Sequence, residues 1–510
     1  MIVRLILGDQ LNEKHSWFNR VEDKVCYVMM EMRQETDYVQ HHIQKVIAFF
    51  RSMRSFHKTL VEKGHRVEYI QLDAPENEQD LCKNLTAILN QYKAEKFEYQ
   101  LPDEYRLDQQ LQEFAAQWDR EVEVVDTEHF MTTRSTWATF YTGKKQRIME
   151  FFYRKMRKDF HLLMSGDQPL GGQWNFDKNN RNQWRGTPEI PPAYTMETTD
   201  LLQLQEMLTS AGVLTLGTLD PKKFLFPCSR DESLKQLEYF KTHLLKHFGD
   251  YQDAMHTEEV NLFHSRISFA LNTKMIAPLE VVNSVIDYYQ AHTDEIALSQ
   301  VEGFVRQIIG WREYMRGMYW SEMPNYAQMN VLNNHQALPQ FFWTAATQMN
   351  CLHQSVKNSL DHAYAHHIQR LMITGNFALL AQVHPDAVDA WYLGIYADAI
   401  EWVQLPNTRG MSQWADGGMV ATKPYVSAAA YIHKMSNYCN DCKYDRKKRI
   451  GADACPFNSL YWNFLDDKKQ YFAKNNRMAM MLRLLEKIPA EELVQIKTRA
   501  HQIISNPDAY

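Results

Sequence analysis

No run in this 510-residue sequence is apolar for long enough to span a bilayer, so no membrane partner is expected. The opening residues, MIVRLILGDQLNEKH, start apolar but are soon interrupted by Asp9, Asn12, Glu13 and Lys14. They read as a first strand, because a secretory signal needs a longer apolar stretch and a small-residue cleavage site. A cytoplasmic location is expected. Excess basic charge is also missing: 56 Lys and Arg stand against 62 Asp and Glu, a net charge of −6. A nucleic-acid partner would have to meet a local basic groove, since the mean charge repels it. Cysteine is scarce, seven in all, an odd number that does not suggest a disulfide framework. No glycine-rich dinucleotide fingerprint follows the first strand, since Gly8-Asp9-Gln10 lacks its spacing. Repeats at solenoid spacing are absent too.

What is present points to two domains, because one core does not serve a chain of this length. Apolar runs at residues 3–7, 25–30, 67–72 and 122–125 alternate with helical patterns at 41–63, 78–94 and 107–118. Strands alternating with helices predict a doubly wound parallel sheet, an α/β domain over residues 1–130. Residues 131–226 read as a long linker. In it, Thr142-Gly143-Lys144-Lys145 opens a basic helix with Arg147, Arg154, Lys155, Arg157 and Lys158. Such a run is either a solvated face or a flank for a phosphate backbone. Residues 171–181, rich in Gly and Asn, read as a long loop that is functional or disordered. From 227 to 510 the 3.6-residue period dominates and predicts a large all-α domain.

Three cysteines crowd together as Cys439-Asn-Asp-Cys442 and Cys455-Pro456. A two-residue spacer lets both thiolates reach one metal from a single turn. Cys351 is the natural fourth ligand, because Cys26 and Cys82 lie in the α/β half and Cys228 near the linker. On spacing alone, zinc and iron–sulfur stand equal. A thioredoxin-like pair is disfavoured, since Cys439 and Cys442 have no βαβ context. Aromatic residues are plentiful in the C-terminal half, where they serve a helical core or, more pointedly, base stacking and electron transfer.

Four further segments change the reading. They are His264-Ser265-Arg266-Ile267-Ser268, then Phe304-Val305-Arg306-Gln307 through Gly310-Trp311-Arg312-Glu313-Tyr314, then Gln369-Arg370-Leu371-Met372 through Gly375-Asn376-Phe377, then Trp391-Tyr392-Leu393 through Tyr396 and Asp398. Their order resembles the flavin-binding helical domain of cryptochromes and photolyases. The cysteines narrow the resemblance to the iron–sulfur bacterial branch, whose members repair (6-4) photoproducts in DNA. The likeness extends from Leu7-Gly8-Asp9-Gln10-Leu11 to Ala454-Cys455-Pro456-Phe457-Asn458.

The resemblance implies FAD in the helical domain, faced by His264, Ser265, Ser268 and Asn272 and anchored by Arg306, Arg370 and Asp398; the planar fork of Arg306 suits a diphosphate. It implies a 4Fe–4S cluster on Cys351, Cys439, Cys442 and Cys455. It also implies a 6,7-dimethyl-8-ribityllumazine antenna near Asp9, Glu35 and Tyr38, beyond the carboxyl ends of parallel strands. His366 and His367 match the family's lesion-site histidines. Met411, Lys423, Tyr425 and Tyr431 match positions near UV-damaged DNA, and residues 443–449 offer phosphate contacts. Trp343, Trp391 and Tyr392 match an oxidisable relay. The loop at 174–181 is expected to close over DNA, with Asp177 assisting through a divalent cation such as Mg, in a monomeric protein. The rival readings are a blue-light receptor without repair, a cyclobutane-dimer photolyase, and a zinc-stabilised nucleic-acid-binding protein.

Overall fold

Five strands form one parallel sheet: β1 (Ile2–Leu5), β2 (Val25–Met30), β3 (Val67–Ile70), β4 (Lys96–Gln100) and β5 (Glu121–Val125). Their order across the sheet is β3-β2-β1-β4-β5. The computed structural model describes residues 1–144, 147–196 and 198–510. Successive residues of a strand face opposite sides, and the sheet uses both. Val25, Tyr27 and Met29 join the core that continues into the helical half. Val28 and Met30 join a second core with Leu81, Leu85 and Leu111. Helix Ile43–Glu62 covers the first face, while Leu81–Gln91 and Tyr105–Gln117 cover the other.

The strand β4 has no apolar run to announce it. Its Glu98 is buried and bonded to Arg4 of β1 at 2.6 Å, so a charged residue sits where a central strand usually carries a hydrophobic one. Phe97 and Tyr99 supply the apolar side. The strand β1 ends two residues earlier than the apolar run suggests, because the Leu7 N–H donates to Gln10 Oε1 at 3.0 Å.

The linker segment departs from expectation. Its basic helix spans Met149–Asp159, whereas Thr142 ends a separate helix, Thr136–Tyr141; Lys145 lies outside the described residues. The basic side chains serve the fold. Arg157 is buried and donates to the Trp174 and Leu162 carbonyls at 3.0 and 3.1 Å, and Arg154 pairs with Glu150 at 2.9 Å. The Asn-rich loop is seated as well. Asn180 is fully buried against Gly249 and Gly303, where an added Cβ at either glycine would lie 2.9 Å from its amide nitrogen.

Beyond residue 227 the described chain is helical. Within it, Arg306–Arg312, Gln369–Gly375 and Pro406–Ser412 are π-helical, a widened geometry that tends to mark functional sites. The α/β layer meets this body along residues 40–45. His42 N–H donates to the Gly394 carbonyl and Ile43 N–H to the Leu216 carbonyl, both at 2.9 Å. A Cβ at Gly394 would fall 2.3 Å from the Gln40 carbonyl oxygen. Replacement Gly394→Ala therefore forces the seam apart and is expected to destabilise the protein by about 1–3 kcal/mol. Denaturant titration checks this; an unchanged midpoint would contradict it.

Candidate functional site

Two cavities lie on either side of that seam. The larger, about 780 Å³, opens within the helical body, and these three of the four π-helical stretches among the described residues contribute to its wall; the fourth, Phe240–Leu244, does not. A volume of this size lies in the range of cofactor and ligand sites.

Its polar wall is built around Asp398. Arg370 Nη2 lies 3.0 Å from Asp398 Oδ1, the Ser268 hydroxyl donates to Oδ2 at 2.7 Å, and Asn272 Nδ2 donates to the Asp398 carbonyl at 2.7 Å. Arg370 is further fixed by donation from Nε to the Ala365 carbonyl at 2.6 Å and by stacking 3.8 Å over the Tyr396 ring. Ser265 lines the same cavity. Arg306 lines it too, but its fork is committed to carboxylates: Nη2 meets Asp177 at 2.6 Å and Nε meets Glu302 at 3.2 Å. The expectation that the Arg306 fork serves a diphosphate thus meets two carboxylates already on Nη2 and Nε.

The tandem histidines diverge. His366 is buried, and its ring stacks on His264 with centroids 4.7 Å apart and planes 18° from parallel. Both ring nitrogens of His366, and Nε2 of His264, are buried without a hydrogen-bond partner. His367 lines the same cavity and is open to it. Burial is the first cause that pulls all three below the usual histidine range, to about 4 for His264 and His367 and well below for His366. Neighbouring cations and imidazoles, Arg370 first for His367, act in the same direction. At neutral pH these rings are uncharged, each with one donor and one acceptor nitrogen.

Four lining residues carry chemistry that their sequence context does not advertise. Arg266 holds a left-handed backbone at φ 54°, and its Nη1 is buried and unpartnered. Burial lowers Arg266 and Arg312 to about 10 and raises Asp253 to about 6. Tyr364 completes the set. Arg266 and Arg312 lie inside the quoted motifs, where a buried cation next to apolar neighbours is the one available signal; Asp253 sits in an ordinary loop and has none.

Met411, Lys423, Tyr425 and Tyr431 all line the large cavity. Asp177 stands there too, bonded to Arg306 and to Arg181 Nη2 at 2.6 Å, which hold its carboxyl below the usual range despite burial. Among residues 443–449, Lys448 pairs with Asp453 and Arg449 with Glu492. Tyr392 lines the cavity, with its hydroxyl donating to the Arg370 carbonyl at 2.6 Å. Its ring lies 5.3 Å from that of Trp391, which is buried and meets Phe342 at 5.0 Å. Trp343, next in sequence to Phe342, is 39% exposed. Tyr392 thus stands at the cavity, Trp391 in the core and Trp343 at the surface.

The four cysteines are free thiols, and each of Cys455, Cys439 and Cys442 bears electrostatically on Cys351. Burial raises Cys439 to about 11 and Cys455 to about 12, with neighbouring cysteines adding to it. Cys351 and Cys455 are buried and Cys439 and Cys442 half-buried; thiols raised in this way lose their protons only beside a cation. Among the described residues, no group of three or more His, Cys, Asp or Glu is placed to hold a single metal ion. The site is tied to the large cavity through Tyr438, whose hydroxyl accepts from Gln369 Nε2 at 3.0 Å, while Gln369 Oε1 accepts the His366 N–H at 3.3 Å.

The smaller cavity, about 130 Å³, lies at the carboxyl ends of β1 and β2 and against the loop after β4. Asp9, Glu35 and Tyr38 all line it. Asp9 is held by Lys274 at 2.8 Å, and Lys274 also meets Asp103 at 2.7 Å. Glu35 takes two bonds from Arg106, at 3.0 and 2.7 Å, and Arg106 stacks 4.5 Å over Tyr38. Burial, then Glu401, raises Glu104 beside them to about 8, while Arg106, 3.1 Å from its carboxylate, opposes the rise.

Comparison with known proteins gives a consistent answer. The family described as Deoxyribodipyrimidine photo-lyase-related protein matches residues 4–224. A (6-4) photolyase of Agrobacterium fabrum is 40% identical over 488 residues, covering 93% of each chain. The crystal structure of a bacterial class III photolyase from Agrobacterium tumefaciens covers 99% of this chain and 97% of its own at 12% identity, with a TM-score of 0.57. A cryptochrome of Synechocystis covers 99% and 94% at 11% identity, also with a TM-score of 0.57. These two structures speak to fold alone; the 40% relative speaks to kinship. The chain belongs to the cryptochrome–photolyase family.

Proposed function

We propose that this protein is a light-driven DNA-repair enzyme, a (6-4) photolyase that reverses pyrimidine–pyrimidone (6-4) photoproducts in UV-damaged DNA. The 40% identity to a (6-4) photolyase along nearly the whole of both chains carries the reading. The large cavity is the FAD site. The residues fit such a group: unpartnered buried nitrogens on Arg266 and His264 face a cavity of about 780 Å³, beside the fixed Arg370–Asp398 pair. Reduced FAD, when bound, supplies one electron to the lesion on absorbing light. The protein's own residues do the rest. Asp398, held by Arg370 and Ser268, fixes the polar end of the site. Lys423 meets phosphate at the mouth, Met411, Tyr425 and Tyr431 flank the extruded base, and His366 with His367 handle the proton. Residues 1–130 form the antenna-binding layer, 131–226 the connector and 227–510 the FAD-binding body.

Three further groups belong to the proposal. A 6,7-dimethyl-8-ribityllumazine antenna is assigned to the small cavity, where Glu35, Tyr38 and Glu104 offer polar contacts at the sheet's carboxyl edge. A 4Fe–4S cluster suits Cys351, Cys439, Cys442 and Cys455. Mg near Asp177 has the support of a second acid at the cavity wall, Asp253, and competes with the two arginines already on Asp177. Among the described residues no helix is long and apolar enough to cross a membrane.

An absorption spectrum of the purified protein, followed by blue-light illumination with a (6-4)-containing oligonucleotide, tests the reading. Flavin bands and loss of the lesion are expected. A protein that binds no FAD, or repairs only cyclobutane dimers, would overturn it. For the cysteines, Cys351→Ser is expected to remove iron to near zero per chain and to lower stability, since a structural metal site contributes folding energy directly. Iron analysis decides: full iron in this variant would release Cys351 from the ligand set.

A further inference from the structure

We infer that Lys45 is a positioning residue that links the two cavities, so that filling the small one tightens FAD binding in the large one. The small cavity's wall and the large cavity's wall share one residue, Ala399. Lys45 lines the small cavity and is buried, and its ammonium donates to the Ala399 carbonyl at 2.8 Å and the Leu393 carbonyl at 2.7 Å. Leu393 follows Trp391 and Tyr392 on helix Pro385–Ile395, and Ala399 follows Asp398. One ammonium on the α/β side thus grips both ends of the segment that presents Tyr392 and Asp398 to the other cavity.

The chemistry supplies a direction for the linkage. An amine buried here is desolvated, which pulls Lys45 down to about 8, with Glu104 and Asp398 drawing it back. Its bonds to carbonyls are stronger in a low-dielectric surrounding. A planar ligand packed against the lysine stem supplies that surrounding and holds the ammonium on Ala399 and Leu393. The Asp398 segment is then already in the arrangement that Arg370 and Ser268 complete, so less ordering remains when FAD binds. Linkage is reciprocal, and coupling of this kind is commonly 5–150-fold.

The inference rests on the large cavity being the FAD site. Titrate FAD into full-length apoprotein with and without saturating 6,7-dimethyl-8-ribityllumazine, and read flavin fluorescence quenching. The wild type is expected to bind FAD about 10-fold more tightly with the lumazine present. In Lys45→Met, which keeps the stem and loses the ammonium, FAD binding is expected to be weaker and the lumazine effect to shrink to less than twofold. Wild-type FAD affinity that is the same with and without lumazine overturns the linkage, as does a Lys45→Met protein that keeps the full effect. Should Lys45→Met fail to fold, the wild-type comparison decides alone. A wild type that binds no FAD under either condition overturns the cofactor reading instead, which is a distinguishable failure.

Discussion

Replacing His366 by Ala is expected to cut light-driven repair by about 10²–10⁴-fold, the usual contribution of a positioned acid or base, while FAD retention is unchanged. The ring is buried, held parallel to His264, and has both nitrogens unpartnered. A buried polar atom left unmet costs about 1–3 kcal/mol, and a bound lesion removes that cost. His367, open to the cavity beside Arg370, is expected to show a smaller loss, about 10-fold. Its ring contributes to placement of the substrate. The proton donor must be charged to act, and burial holds His366 well below the usual range. Repair by the wild type should therefore quicken as pH falls from 8 to 6. That dependence should vanish in His366→Ala. A His366→Ala protein repairing at the wild-type rate would remove the imidazole pair from the proton step. A His366→Gln protein that regains no activity, with FAD still bound, would confirm that hydrogen bonding alone is not enough.

Much of this arrangement was legible in the sequence, and what was hidden was hidden for physical reasons. The edge-to-centre strands β1, β2 and β3 announce themselves because their alternate residues feed two separate cores. The central strand β4 does not, since Glu98 satisfies itself on Arg4 across the sheet, a partner 94 residues away. Motif matching brought Ser268, Asn272, Arg370 and Asp398 to one cavity, and the hydrogen bonds on Asp398 give the reason for each. It also brought Arg306 there, but no local pattern shows that Asp177 and Glu302 already occupy its fork. The basic helix at Met149–Asp159 misled for a related reason. A run of positive charge looks the same whether it faces water or, like Arg157, caps carbonyls inside the fold. The π-helical stretches were invisible because one or two widened turns are too short to set an apolar period of their own.

Replacing Arg370 by Met is expected to destabilise the protein by about 3–5 kcal/mol, the common cost of removing one partner from a buried ion pair. The pair is partly open to the cavity, with side-chain exposures of 18% for Arg370 and 15% for Asp398, so the lower end of that range is expected. Once Arg370 is gone, Asp398 keeps the Ser268 hydroxyl but has lost its counter-charge, which leaves a largely buried carboxylate uncompensated. Pairing the change with Asp398→Leu separates fold from function. A well-packed apolar pair is often as stable as a buried salt bridge. The double variant should recover most of the denaturation midpoint and still fail to retain FAD. If the double variant both refolds to wild-type stability and binds FAD normally, the pair is a structural fixture and the cofactor's polar anchor lies elsewhere. If Arg370→Met alone costs nothing, the guanidinium's bonds to Ala365 and Asp398 and its stacking on Tyr396 carry no net energy. Failure to retain FAD in an otherwise stable double variant is the outcome expected, because only a charged pair both orders the 398 segment and presents a polar face to the cofactor.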